Sequence, residues 1–140
     1  MRIISYNVNG IRAAIKKGFW EWLATDPADI ICLQETKARP EDVDLTPLHQ
    51  MGFSDYWFSA KKKGYSGVAV FTKIKPDRVE YGNGHGPSDD EGRVIQLDFG
   101  AIRLINAYFP SGSAGDERQA FKYVWLEECS RWLKKLQKNL

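Results

Sequence analysis

Asp29-Ile-Ile-Cys-Leu-Gln-Glu35 is an unbroken apolar run that ends on a carboxylate, and Ile3-Ile-Ser-Tyr-Asn7 is a shorter one that ends on an amide. The first reads as an apolar strand, the second, Ile3-Ile4 and the alternation that follows, as a short buried strand that stops at Asn7. Asn9-Gly10 breaks the chain between them. Ile11, Ile15, Phe19, Trp22 and Leu23 then recur at three- and four-residue spacing, which predicts one amphipathic helix, closed by Pro27. Strand, helix, strand within the first 35 residues is a βαβ unit, and such a crossover favours parallel strands.

Working outward, the period changes. Phe53 to Ser59, Gly67 to Thr72, Arg78 to Tyr81, Val94 to Phe99 and Ile102 to Phe109 are short strand candidates joined by Gly, Pro and Asp, as in antiparallel hairpins. From Asp116 onward helical spacing returns, with Phe121, Val124, Trp125, Cys129, Trp132, Leu133 and Leu136 on one face. So apolar a face needs a cover, either from these strands or from chain beyond Leu140. Ser111-Gly-Ser-Ala-Gly115 reads as a flexible loop, with Asp116 able to cap the helix after it. No repeat, low-complexity tract or linker interrupts the pattern.

Composition sets wide bounds. The 140 residues suffice for one domain, and 43% hydrophobic with 27% charged residues excludes wholesale disorder. A net charge of +2 permits a nucleic-acid partner without demanding one. Cys32 and Cys129 lie in apolar segments without metal-type spacing, as expected of reduced thiols in a cytoplasmic protein. Neither a signal-peptide pattern nor a run of transmembrane length is present.

If the first two strands are parallel, Asn7 and Glu35 emerge at one sheet edge, where open α/β sheets place their ligand crevices. Asn7 and Asn9 could equally be helix caps. Glu35 closes an apolar strand, where a carboxylate needs a partner. Lys37 could supply a simple ion pair; a hard divalent cation, held by one or two carboxylates with substrate phosphate, is the other reading. Alternation puts Ile102, Leu104, Asn106 and Tyr108 on one strand face, where a tyrosine is usually core with its hydroxyl tied off. Cations gather at Arg12, Lys16 and Lys17, and again in Lys61-Lys-Lys-Gly-Tyr-Ser-Gly67. Either group could meet phosphates or simply be solvated surface. Gly82-Asn-Gly-His-Gly86 is no dinucleotide fingerprint, because it does not join a buried strand to a helix. His49 and His85 fall in polar loops without partners and have no claim to catalysis.

Five blocks, in order, carry a resemblance: Ile4-Ser-Tyr-Asn-Val-Asn-Gly-Ile-Arg-Ala13, Ile31-Cys-Leu-Gln-Glu-Thr-Lys37, Gly64-Tyr-Ser-Gly-Val-Ala-Val-Phe71, Glu91-Gly-Arg-Val-Ile95 and Asn106-Ala-Tyr-Phe-Pro110. Together they resemble the exonuclease III / abasic-site endonuclease family, bacterial type, of the endonuclease/exonuclease/phosphatase superfamily. The resemblance implies an α/β (α+β) fold, a DNase I-like β-sandwich of two sheets flanked by helices. It implies hydrolysis of DNA phosphodiesters at abasic sites and 3′ ends, with Mg²⁺ or Mn²⁺. By that pattern Glu35 ligates the metal with Asn7, Asn7 and Tyr108 act at the phosphate, and Arg12, Ala13, Lys17, Gly64 and Tyr65 contact DNA. The partner implied is duplex DNA, the protein a monomer without a membrane.

The resemblance also implies a Gly-Asp-x-Asn motif, whose Asp orients or deprotonates the attacking water, and a Ser-Asp-His motif, whose His meets the scissile phosphate. Neither occurs in these 140 residues. Family members run to roughly 250 residues, within the range of a single domain. The expectation is therefore that residues 1–140 are the amino-terminal part of one such domain, and that alone they do not cut DNA. A related inositol-phosphate or sphingolipid phosphodiesterase, and a catalytically silent nucleic-acid-binding regulator, are the competing readings on the same scaffold.

Overall fold

The computed structural model describes residues 1–112 and 115–138; Ser113 and Ala114, on which part of the loop expectation falls, and Asn139–Leu140 lie outside them. Among the described residues seven strands form two sheets. The first has the order β1 (Ile3–Asn7), β2 (Ile30–Gln34), β4 (Val68–Thr72), β3 (Ser54–Phe58); the second runs β5 (Arg78–Tyr81), β6 (Val94–Phe99), β7 (Ile102–Ala107). Only β1 and β2 are parallel, in the register Asn7↔Gln34; every other pairing is antiparallel. The expected βαβ unit and the hairpin-rich run after it are both present.

Period-two alternation distributes β2 and β4 between two cores. Ile30, Cys32, Val68 and Val70 face the second sheet and meet Ile95, Leu97 and Phe99. Ile31, Leu33, Ala69 and Phe71 face the other way, onto Ile11, Phe19, Leu23 and Leu48. A third cluster packs Val94 against Trp125 and Cys129 of α5 (Asp116–Lys138), with Ile105 and Ala107 beside them. The layers are helix, sheet, sheet, helix. Cys32 and Cys129 are buried free thiols, as anticipated.

Several expectations need correction. The single helix after Asn9 is two, α1 (Ile11–Lys16) and α2 (Phe19–Thr25), because Gly18 adopts φ 102° and turns the chain between them. β1 is an edge strand, not a buried one: β2 pairs with it on one side only among the described residues, and Ile3 stays 44% exposed. On α5, strands cover the stripe through Trp125 and Cys129, whereas Val124 and Leu133 are exposed. Two short helices escaped the sequence reading, α3 (Thr46–Gln50) and α4 (Gly86–Asp90), each too brief to show a period. His49 consequently lies in a helix, not a loop, and its Nε2 is 2.6 Å from Asp55 Oδ1. His85 directly precedes α4.

One buried side chain joins the sheets. Asn106 Nδ2 on β7 donates to Leu33 O on β2 and Ala69 O on β4, each at 2.9 Å, while its Oδ1 accepts from Gln34 Nε2 at 2.8 Å. Asn106→Leu has a similar shape but strands two buried carbonyls and an amide. We expect it to lower unfolding stability by about 3 kcal/mol in urea titrations; a loss below about 1 kcal/mol would show that water replaces the amide.

Candidate active site

Parallel pairing sends β1 and β2 out of the same sheet edge, and the chain after each strand carries a polar residue. Asn7 ends β1 and Glu35 follows β2. Tyr108 leaves β7 beside them, two residues beyond Asn106, as Glu35 is two residues beyond Leu33. The segment after β2 is held from both sides. Gly10 N donates to Glu35 O (2.8 Å) and Ile11 N to Thr36 O (2.9 Å), while Thr36 N and Lys37 N donate to Gly67 O (3.1 Å) and Ser66 O (2.8 Å). Glu35, Lys37 and Ser66 have φ of 59°, 53° and 52°. L-residues pay roughly 1–2 kcal/mol each for that left-handed conformation, so the surrounding bonds must impose it.

Glu35 is the centre of the cluster. Its Oε1 accepts from Asn7 Nδ2 at 3.3 Å, its Oε2 lies 3.0 Å from Lys37 Nζ, and the Tyr108 hydroxyl is close enough to interact with it. Lys37 Nζ bonds Asn9 Oδ1 at 2.8 Å, and Asn9 N donates to Asn7 Oδ1 at 3.0 Å. Neither asparagine caps α1, whose N-cap is Gly10 without a side-chain cap. The ion pair with Lys37 anticipated for Glu35 does form. Partial burial opposes ionisation of Glu35, yet hydrogen bonds from Lys37, Tyr108 and Asn7 outweigh it and hold the carboxyl below its usual range. Burial and the bond to Glu35 push the Tyr108 phenol up to about 12, so it remains a proton donor at neutral pH.

Among the described residues no three His, Cys, Asp or Glu side chains cluster in metal-binding fashion. The groups that do converge are one carboxylate, Glu35, and the Asn7 amide, which presents Nδ2 to Glu35 while its Oδ1 accepts from Asn9 N. That set fits a hard cation of the Mg²⁺ type, which binds through one or two carboxylates and keeps water or phosphate oxygens as its other ligands. Lys37 Nζ pairs with Glu35 Oε2, so such a cation would share the carboxylate with the lysine.

The five residues expected to contact DNA divide into separate surfaces. Ala13 and Lys17 line a groove of about 510 Å³ together with Asn9, Ser5 and Trp22, while Arg12 borders a different one with Lys16, Trp20 and Asp44. Gly64 is exposed in the basic loop, and Lys62 lies 5.2 Å over the Tyr65 ring. Tyr65 turns inward: its hydroxyl accepts from Arg93 at 3.1 Å and Arg118 at 3.0 Å. Arg93 and Arg118 were not singled out from the sequence. An arginine opening a strand as apolar as Val94–Phe99 was the available signal for the first; for the second there was none.

A two-sheet sandwich thus gathers a carboxylate, an amide and a phenol at one end. Residues 4–136 match the model of the Endonuclease/Exonuclease/phosphatase family, and the chain belongs to that family. It is 44% identical over 137 residues to an exodeoxyribonuclease of Bacillus subtilis, covering 97% of this chain and 53% of that protein. The structure of an AP endonuclease from Archaeoglobus fulgidus superposes with a TM-score of 0.81 at 31% identity, over 94% of this chain and 51% of the other. The 3′ phosphatase NExo from Neisseria, bound to product DNA hairpin, gives a TM-score of 0.83 at 27% identity, over 96% of this chain and 52% of the other. The chain thus spans about half the length of these relatives.

Gly67 tests how tightly the Glu35 segment is held. Its φ is +90°, and a Cβ there would lie 2.5 Å from the buried Thr36 hydroxyl; at Gly64, φ +68°, a Cβ meets nothing within 4 Å. Gly64→Ala should cost only the backbone strain, about 1 kcal/mol, and Gly67→Ala about 1–2 kcal/mol more. Equal losses in thermal or urea unfolding would mean that the strap yields freely.

Proposed function

We propose that this chain supplies part of the active site of a divalent-metal-dependent DNA nuclease that hydrolyses phosphodiesters at abasic sites and 3′ ends. The observation that carries the reading is the Glu35 carboxylate bound at once by Asn7, Lys37 and Tyr108 where β1, β2 and β7 converge. The family membership and the nuclease relatives support it.

Hydrolysis by water builds negative charge on the non-bridging oxygens of the phosphate. Tyr108, protonated at neutral pH, would give its single O–H to one of them rather than to Glu35, and Asn7 holds Glu35 in place through Nδ2. Glu35, ionised below its usual range, and Asn7 Oδ1 are the groups that would hold Mg²⁺ or Mn²⁺, which when bound supplies Lewis-acid polarisation of the phosphoryl oxygen. Lys37 balances the Glu35 charge. Arg12, Ala13, Lys17, Gly64 and Tyr65 are the DNA-backbone contacts in this reading; the lysine and arginine attract phosphate, and Gly64 lets the chain approach closely. No helix among the described residues is long and apolar enough to cross a membrane, and two buried reduced thiols suit a cytoplasmic setting.

The complete protein, given duplex DNA with one abasic site, should incise it with Mg²⁺ and not in EDTA. Glu35→Gln should lower kcat by at least about 100-fold and weaken Mn²⁺ binding, and Tyr108→Phe should lower kcat by about 100-fold with little change in KM. Full incision by Glu35→Gln, or in EDTA, would sink the proposal. The purified 140-residue chain should show no incision, because its described residues place no general base for the attacking water in the Glu35 cluster; turnover by that chain would overturn this part.

A further inference from the structure

Arg93 is among the least exposed residues of the protein, at 1% of its surface, and none of the roles given above uses it. An isolated guanidinium in such a place is costly, so its contacts are its reason for being there. Nε donates to Glu91 Oε1 at 2.9 Å and one terminal nitrogen to the Tyr65 hydroxyl at 3.1 Å. The other terminal nitrogen donates to Tyr108 O at 3.1 Å, and the guanidinium carbon stands 5.0 Å from the centre of the Tyr108 ring. Tyr108 N in turn donates to Arg93 O at 2.8 Å. The β6–β7 ladder ends at Val94↔Ala107. One step past that end, where a backbone N–H would normally take the Tyr108 carbonyl, the arginine side chain takes it.

We propose that Arg93 is the positioning residue for Tyr108: it clamps the tyrosine carbonyl and underlies its ring, so that the hydroxyl stays beside Glu35, from where its single O–H can turn to the phosphate. The inference rests on the nuclease reading for its kinetic consequence, though not for its geometry. Rotation of Tyr108 about its backbone is stopped at three places on the arginine (the amide, the carbonyl and the ring face) and at a fourth on Glu35. Tyr65 and Glu91 orient the clamp, and Arg118 shares both, bonding Tyr65 Oη at 3.0 Å and Glu91 Oε1 at 3.1 Å. A purely structural arginine would tie β6 to α5 through Glu91 and Arg118 and leave the tyrosine alone.

The complete protein distinguishes the two. Arg93→Met keeps the volume and removes the fork and charge; kcat on abasic duplex should fall about 100-fold, the scale of an ångström's misplacement, with KM within about threefold. Arg93→Lys, which keeps a cation under the ring, should recover about tenfold of that loss. Tyr108→Phe should cost less than about threefold in the Arg93→Met background, against about 100-fold alone, because the two act as one unit. With ¹³C-labelled tyrosine, the ring resonance of Tyr108 should shift or broaden in Arg93→Met while that of exposed Tyr123 stays in place.

An unchanged Tyr108 resonance, an undiminished cost of Tyr108→Phe, or a variant impaired only in stability would overturn the proposal. Should Arg93→Met not fold, Arg93→Lys decides the matter by the same resonance and a kcat loss of about tenfold. If the unaltered protein cuts no DNA, the nuclease reading fails, while the resonance still decides the clamp.

Discussion

The amide of Asn106 is the contact on which the rest of the molecule turns. It takes two carbonyls from one sheet while standing on a strand of the other, and Gln34 closes the pattern through Asn106 Oδ1 and Ser5 Oγ. A buried amide so engaged admits one sheet-to-sheet register, because any slip leaves several polar groups unpaired at about 1–3 kcal/mol each. Apolar packing between Ile30, Val70, Ile95 and Leu97 would tolerate small displacements; the amide does not. Its consequence is local and chemical. Two residues farther along each strand stand Glu35 and Tyr108, side by side.

Around that register the protein concentrates its unfavourable features. Glu35 is partly buried, its backbone is left-handed, and Lys37 and Ser66 share the conformation. Each is offset by something specific: backbone bonds on both flanks of residues 35–37, three donors to the carboxylate, and a glycine at position 67 where no Cβ fits. Strain over-determined in this way keeps groups in place. On the far side of Tyr108 the charged pairs of Glu91 with Arg93 and Arg118 do the corresponding task, with Arg93 buried and its two partners partly exposed.

Much of this was legible in the residues. Alternation located the strands to within one or two positions, and the parallel start followed from a helix-length connection between the first two. A carboxylate closing Ile30–Gln34 had to be paired, and it is. Shorter signals misled: five-residue helices carry no period, and the pattern through Gly18 matched one helix although a glycine in left-handed geometry cuts it in two. Tyr108 read as core by its alternation, and its hydroxyl is indeed tied off, but to Glu35.

The sequence by itself determined which segments are strands, which of their faces are apolar, and the family to which the ordered blocks belong. These follow from neighbours a few positions apart, where periodicity and turn chemistry act. Only the tertiary structure decided that Asn106 meets Leu33, 73 positions away in the chain, that Arg93 is buried beneath Tyr108, and that the two basic helix residues Arg12 and Lys17 open onto different grooves. Those outcomes depend on how two sheets stack and where two helices break. The packing of the whole selects them, and no local pattern in the chain encodes it.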